Sequence, residues 1–249
     1  MSGTAEMSFW DHLDVLRGTV FRSVSVVFLL SIVFLCAKTW LFGLVLAPSR
    51  PDFFLYRWLG SDFGMQLINI DISAQFFVHL KMSVLCGAVV GFPYIVYEVW
   101  KFIAPALYER EKDAVRGAFA LSSFLFYIGI AVGYCVVLPV CLMFFINYSV
   151  SESIVNTISL NSYVSMFISM VFLIGLVFEF PTVAVVLSRL GILTRTMLKR
   201  SRRNAFVAVL VVSAVITPSD PVSMLVLSLP LYALYEFSIV VCRDKIETQ

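Results

Sequence analysis

The chain has 249 residues, of which 60% are hydrophobic and only 14% charged, and its mean hydropathy is +0.94. A chain so apolar cannot be solvated as a globule, which excludes a water-soluble protein and makes its long apolar runs membrane spans. The formal net charge is only +2 and the basic residues are scattered at segment ends, so there is no footprint for nucleic acid.

In chain order, the residues before Phe21 are polar, and the first apolar run covers residues 21–46. It exceeds a signal-peptide core and has no small-residue cleavage site, so it is read as retained. Runs at 75–100, 118–148 and 163–187 each reach the roughly 20 residues needed to cross a bilayer core. The last two runs, 205–216 and 222–242, flank Thr217-Pro218-Ser219-Asp220-Pro221. By the helical rise the run 205–216 extends only about 18 Å, against a core about 30 Å thick. That hairpin is expected to be shallow, with either a thinned membrane around it or a turn sheltered by protein below the far surface. Segments this long and uniformly apolar suit six helices in one transmembrane domain, 1–249, rather than a barrel of alternating strands.

Orientation follows from Lys and Arg. Fourteen of the 18 basic residues fall in one set of connections: Arg17 and Arg22, the 101–116 stretch, the 189–203 stretch, and the C-terminal tail. The positive-inside rule then puts both termini in the cytoplasm. Five cysteines, odd in number and without metal-ligand spacing, are read as packing residues. His12 and His79 are the only histidines and share no metal-type arrangement, so neither a metal nor a cofactor is expected.

The second run ends in "VWKFIAPALYERE" (99–111), which closes on three charges. Arg110 and Lys112 can simply mark where a helix leaves the membrane. Glu109 and Glu111 are less well explained that way, because acidic residues contribute little to orientation and a membrane surface is usually negative. Two carboxylates on a short cytoplasmic loop offer a cation-binding site.

This stretch, with "LFYIGIAVGYCVVLPV" (125–140), "GLVFEFPTVAVVLSRLGI" (175–192) and "ITPSDPVSMLVLSLPLYALYE" (216–236), resembles the C subunit of the twin-arginine (Tat) protein translocase. The likeness runs from near His12 to about Val241. It implies an all-α bundle of six helices, glove-like in shape, in a bacterial inner membrane. It also implies a non-enzymatic receptor for folded proteins whose signal peptides carry adjacent arginines. Implied partners are those signal peptides, single-span subunits of TatA and TatB type, and membrane lipid, in a multimeric complex driven by the proton gradient. No G-x-x-x-x-G-K-[ST] loop is present, in keeping with an energy source other than ATP.

Within the resemblance, Glu111 occupies the position of the signal-binding glutamate after "ALY", with Glu109 either assisting or merely solvated. Carboxylates suit the task, since they accept two parallel hydrogen bonds from a guanidinium, a geometry that lysine cannot reproduce. At the N-terminus "HLDVLR" (12–17) departs from the family's His-Leu-x-Glu-Leu-Arg. Val15 stands where the family has glutamate, and the carboxylate is one residue earlier at Asp14, about 100° around a helix. Asp14 therefore either binds a signal arginine beside Arg17, forms a local i, i+3 pair with it, or is simply a charge near the helix N-terminus.

Glu179 lies ten residues before Arg189, about 15 Å from the helix end, so it falls near mid-bilayer. A carboxylate there is expensive if unpaired and marks a functional or interior position. Pro181 should kink that helix and open a polar pocket beside it. Glu236 and Lys81, each about two turns from a segment end, read as snorkelling anchors. "SRRNAF" (201–206) mimics a twin-arginine motif but sits in the most basic loop, where a topology anchor explains it. A proton-coupled small-solute transporter using Glu179 is the alternative function. Against it, the two halves show no internal repeat.

Overall fold

The computed structural model describes residues 9–59, 65–103, 109–149, 151, 156–217 and 221–242, with the side chains of 9–12, 59, 109–116, 118 and 120 outside that description. Helices dominate because, without water to bond, backbone polar groups must pair within their own segment. The first helix, α1 (Phe9–Cys36), runs 28 residues and stops at Ala37, whose backbone (φ −93°, ψ 40°) leaves helical geometry. A second helix, α2 (Lys38–Val45), follows at once. The segment expected as one span at 21–46 is therefore two helices. Three phenols hold the far end of α2. Tyr134 and Tyr163 donate to the carbonyls of Leu44 and Val45 at 2.8 and 2.6 Å, and Tyr56 donates to Pro48 at 2.7 Å. They provide partners for carbonyls that the end of α2 leaves without helical ones.

A single 3₁₀ turn (Ala47–Ser49) and α3 (Phe54–Leu59) follow. Tyr56, on α3, is fully buried, and that burial raises its phenol well above the ordinary value. Next come α4 (Ala74–Ile103) and α5 (Glu109–Val132), which passes through a π turn (Gly133–Val137) into α6 (Leu138–Asn147). Pro139 sits in the first turn of α6 and has no N–H for the carbonyl four residues back, so the widened turn falls directly before it. After Ser159, whose hydroxyl caps α7 (Leu160–Phe167) through the Ser162 N–H at 3.1 Å, a second π turn (Ile168–Phe172) leads to α8 (Leu173–Val177). The chain then breaks at Phe178 and Glu179 and resumes as α9 (Phe180–Arg189). Gly191, at φ 73°, turns it toward α10 (Arg195–Arg200), α11 (Arg202–Ile216) and α12 (Pro221–Val241).

Among the described residues, five helical stretches are long and apolar enough to cross a membrane: Leu13–Cys36, Ala74–Ile103, Leu121–Asn147, Leu160–Arg189 and Pro221–Val241. The remaining member of the expected six, α11, has 15 residues and spans about 22 Å, less than a bilayer core. It packs along α12. A minimal parallel pair, β1 (Leu67–Ile68) and β2 (Ile158–Ser159), joins the α3–α4 and α6–α7 connections, with Leu67 opposite Ile158. The sequence patterns carried no sign of it.

Within a membrane, helices associate by close packing rather than by escape from water. Glycines supply that closeness here at four-residue spacing. A Cβ on Gly87 of α4 would lie 2.9 Å from the backbone of Val27 and Ser31 on α1, and Gly91 meets Leu30 one turn on. On the α5 rod, a Cβ at Gly129 would lie 2.9 Å from Gly175 Cα of α8, and one at Gly133 would lie 2.5 Å from the Met170 carbonyl. The main core, with Val45, Met82, Leu138, Tyr163, Met170 and Leu227, fills the space between α2, α4, α6, the α7–α8 rod and α12. The outer face of α1 stays bare, as shown by exposed Phe21, Phe28 and Val33.

Candidate functional site

One end of the bundle gathers the helix ends that carry most of the basic residues. Trp100 and Ile103 of α4 and Phe119 of α5 pack around Val186 of α9, and the Tyr235 hydroxyl of α12 donates to the Leu198 carbonyl of α10 at 2.6 Å. Asp14 and Arg17 project from α1 at this end, both exposed. No ion pair joins them among the described residues. Val15, at the family's glutamate position, is 37% exposed. Glu109 opens α5 and Glu111 lies in its first turn. Their side chains lie outside the described residues, as does the 104–108 connection before them.

The feature that sequence reasoning missed lies one level deeper. Arg22 of α1 directs both Nε and Nη2 to the same oxygen of Glu98 on α4, each at 2.8 Å. Glu98 is 3% exposed and lies close to Tyr94, one turn before it on α4. The pair fastens the helix carrying Asp14 and Arg17 to the helix that leads into Glu109 and Glu111. The available signal was a carboxylate two residues inside the end of the apolar run 75–100, and a basic residue near the start of another. Arg22 had been assigned to topology alone.

Glu179 occupies the break between α8 and α9. Its Oε2 accepts from the Ser122 hydroxyl on α5, while Oε1 is buried and has no hydrogen bond of ordinary geometry among the described residues. The Thr182 hydroxyl, one turn along α9, is likewise buried without one. Pro181, in the first turn of α9, cannot donate to the Val177 carbonyl, which accounts for the break. Gly129 and Gly175 bring α5 and α8 close enough for Ser122 to reach across. The result is a small, incompletely satisfied polar locus within an apolar rod.

Glu236 is not a lone anchor. It pairs with Arg202 at 2.7 Å and accepts from the Tyr232 hydroxyl at 3.3 Å, tying α11 to α12. The "SRRNAF" arginine thus has a structural partner. All five cysteines are free, and Cys36 is exposed rather than packed. Among the described residues, no three His, Cys, Asp or Glu side chains cluster as metal ligands do.

A family model described as Sec-independent protein translocase protein (TatC) matches residues 11–230. The TatC protein of Blattabacterium sp. subsp. Periplaneta americana is 32% identical over 250 residues, covering 94% of each chain. That of Desulforapulum autotrophicum is 34% identical over 244 residues, covering 98% of this chain and 87% of its own. Among solved structures, a crystal structure of the twin arginine translocase receptor TatC superposes with a TM-score of 0.76 at 29% identity, covering 92% of this chain and 96% of that one.

Proposed function

The chain belongs to the TatC family of Sec-independent protein translocase proteins, and from that premise we propose that it is the signal-peptide receptor of a twin-arginine translocase. It is a multi-pass membrane protein of a protein-transport family. In the proposed arrangement it sits in a bacterial inner membrane with both termini cytoplasmic. The basic end of the bundle then faces the cytoplasm, and Glu111 accepts the guanidinium of a signal arginine through two parallel hydrogen bonds. Glu109 and Asp14 add negative potential, and Arg17 helps set the register of the peptide. The apolar part of the signal lies along the bundle toward Glu179. Single-span subunits of TatA and TatB type then assemble, and the proton gradient drives the folded cargo across.

One observation carries this reading: two glutamates in the first turn of α5, directly after the "FIAPALY" stretch, in a chain that matches the family model from residue 11 to 230. The Arg22–Glu98 pair supports it, because it ties both candidate carboxylate regions to one frame. Site-specific photocrosslinking tests it. A twin-arginine signal peptide with a photoreactive residue beside its arginines should label positions 104–111, and a twin-lysine peptide should not. Equal labelling by the two peptides would refute the receptor role.

A further inference from the structure

At the opposite end of α4 from the candidate site, a cavity of about 460 Å³ opens between α2 and the first turns of α4. One corner is polar, formed by Lys38, Gln75 and His79, and the walls are apolar, formed by Phe42, Phe76 and Leu160. Nε2 of His79 is buried and has no hydrogen-bond partner among the described residues, while its ring lies 5.5 Å from that of Phe42. Such a nitrogen is costly unless something outside the chain bonds to it. Among the described residues, Lys38 is exposed and makes no ion pair, and no carboxylate lines the cavity. A cation, an amide and an imidazole nitrogen without an acid between them form a site for an anion with several acceptor oxygens.

The surroundings define which anion. Trp40 is 60% exposed and Trp58 on α3 is 82% exposed, so this end of the bundle carries the aromatic rings that settle at the level of lipid headgroups. We propose that this cavity binds the phosphate headgroup of an anionic membrane lipid, held by Lys38 Nζ, Gln75 Nε2 and His79 Nε2, with an acyl chain along Phe42, Phe76 and Leu160. A free phosphate ion shares the headgroup chemistry but leaves the apolar walls without a ligand, so the lipid is the occupant. The site is independent of the signal-binding proposal, since α4 separates the two by its full length.

The test uses the full chain in phosphatidylcholine nanodiscs doped with photoactivatable phosphatidylglycerol or, separately, photoactivatable phosphatidylcholine. Labelled peptides are mapped by mass spectrometry. Phosphatidylglycerol should label the segments 38–46 and 75–80 about tenfold more than phosphatidylcholine, because both carry the phosphate but the choline ammonium of the latter places a second cation beside Lys38. Lys38→Gln, a change at an exposed side chain, should remove that preference with membrane abundance unchanged. His79→Phe, which keeps a ring against Phe42, should reduce it. Equal labelling by the two lipids, or a preference untouched by Lys38→Gln, overturns the proposal. So does stoichiometric retention of inorganic phosphate by the protein in pure phosphatidylcholine without enrichment of phosphatidylglycerol, which would make this a free-anion site.

Discussion

Two ionised side chains in close contact differ in how much water each retains, and that difference decides what their removal does. Arg22 keeps 45% of its side-chain surface exposed while Glu98 keeps 4%. Arg22→Gln therefore strands a buried carboxylate, whereas Glu98→Gln releases a guanidinium that water can serve. Arg22→Gln should destabilise by about 3 kcal/mol and Glu98→Gln by clearly less, with the double variant recovering part of the loss. Thermal unfolding in detergent reads the order, and equal effects would mean that the pair is not what holds α1 to α4. Glu179 follows the opposite logic. Its half-satisfied carboxyl is expensive to keep within an apolar rod, so Glu179→Leu should unfold no earlier than the parent while export of a twin-arginine cargo falls sharply. Undiminished export would make Glu179 a structural residue. Of these two sites, Glu179 was readable in the sequence because a single charge interrupts a long apolar run. Glu98 was not, because its partner is 76 residues away and a charge near a helix end resembles a boundary mark.

Helix pairs here are set by glycines whose replacement meets either backbone or side chain, and the two are not equivalent. At Gly133 an added Cβ would meet the Met170 carbonyl at 2.5 Å and Val171 Cα at 2.9 Å, neither of which can yield without moving a helix. At Gly175 the nearest atom is Ile130 Cδ1 at 2.7 Å, the end of a flexible side chain. Gly133→Ala should accordingly cost about 1–3 kcal/mol and Gly175→Ala less, with Gly87→Ala resembling Gly133 because Val27 and Ser31 present backbone. Melting temperatures of the three variants, measured in one detergent, check the ranking. The apolar runs and their basic ends were legible because hydropathy and charge are local properties. The π turn before Pro139 was within reach of the same reasoning that foresaw a kink at Pro181, since both prolines remove one helical hydrogen bond. The break at Ala37 was not, because no proline or glycine marks it, and the tyrosines that hold the far end of α2 lie distant along the chain. The β1–β2 pair escaped for the same reason, being two residues long and formed between distant loops.

For the molecule as a whole, the distribution of charge makes two claims that can be measured. The first is orientation. A reporter fused after Leu67 should read as external and one after Arg200 as cytoplasmic, and the reverse result would invert the bundle and remove the proposed site from its substrate. The second is the receptor function itself, which rests on Glu111 meeting a guanidinium in a partly desolvated place. Glu111→Gln preserves shape and hydrogen bonding but deletes the charge, a loss of about 0–1 kcal/mol if the contact is exposed and about 2–5 kcal/mol if it is buried. Glu109→Gln should do less, and Asp14→Asn decides whether the displaced N-terminal carboxylate takes part. The direct measurement is the affinity of a fluorescent twin-arginine signal peptide for the parent and for Glu111→Gln at two salt concentrations, with a twin-lysine peptide alongside. The account predicts at least a tenfold weakening by Glu111→Gln, about 1.4 kcal/mol, with membrane abundance unchanged and arginine preferred over lysine by the parent. Parent-like binding by Glu111→Gln, together with no preference for arginine, would contradict it.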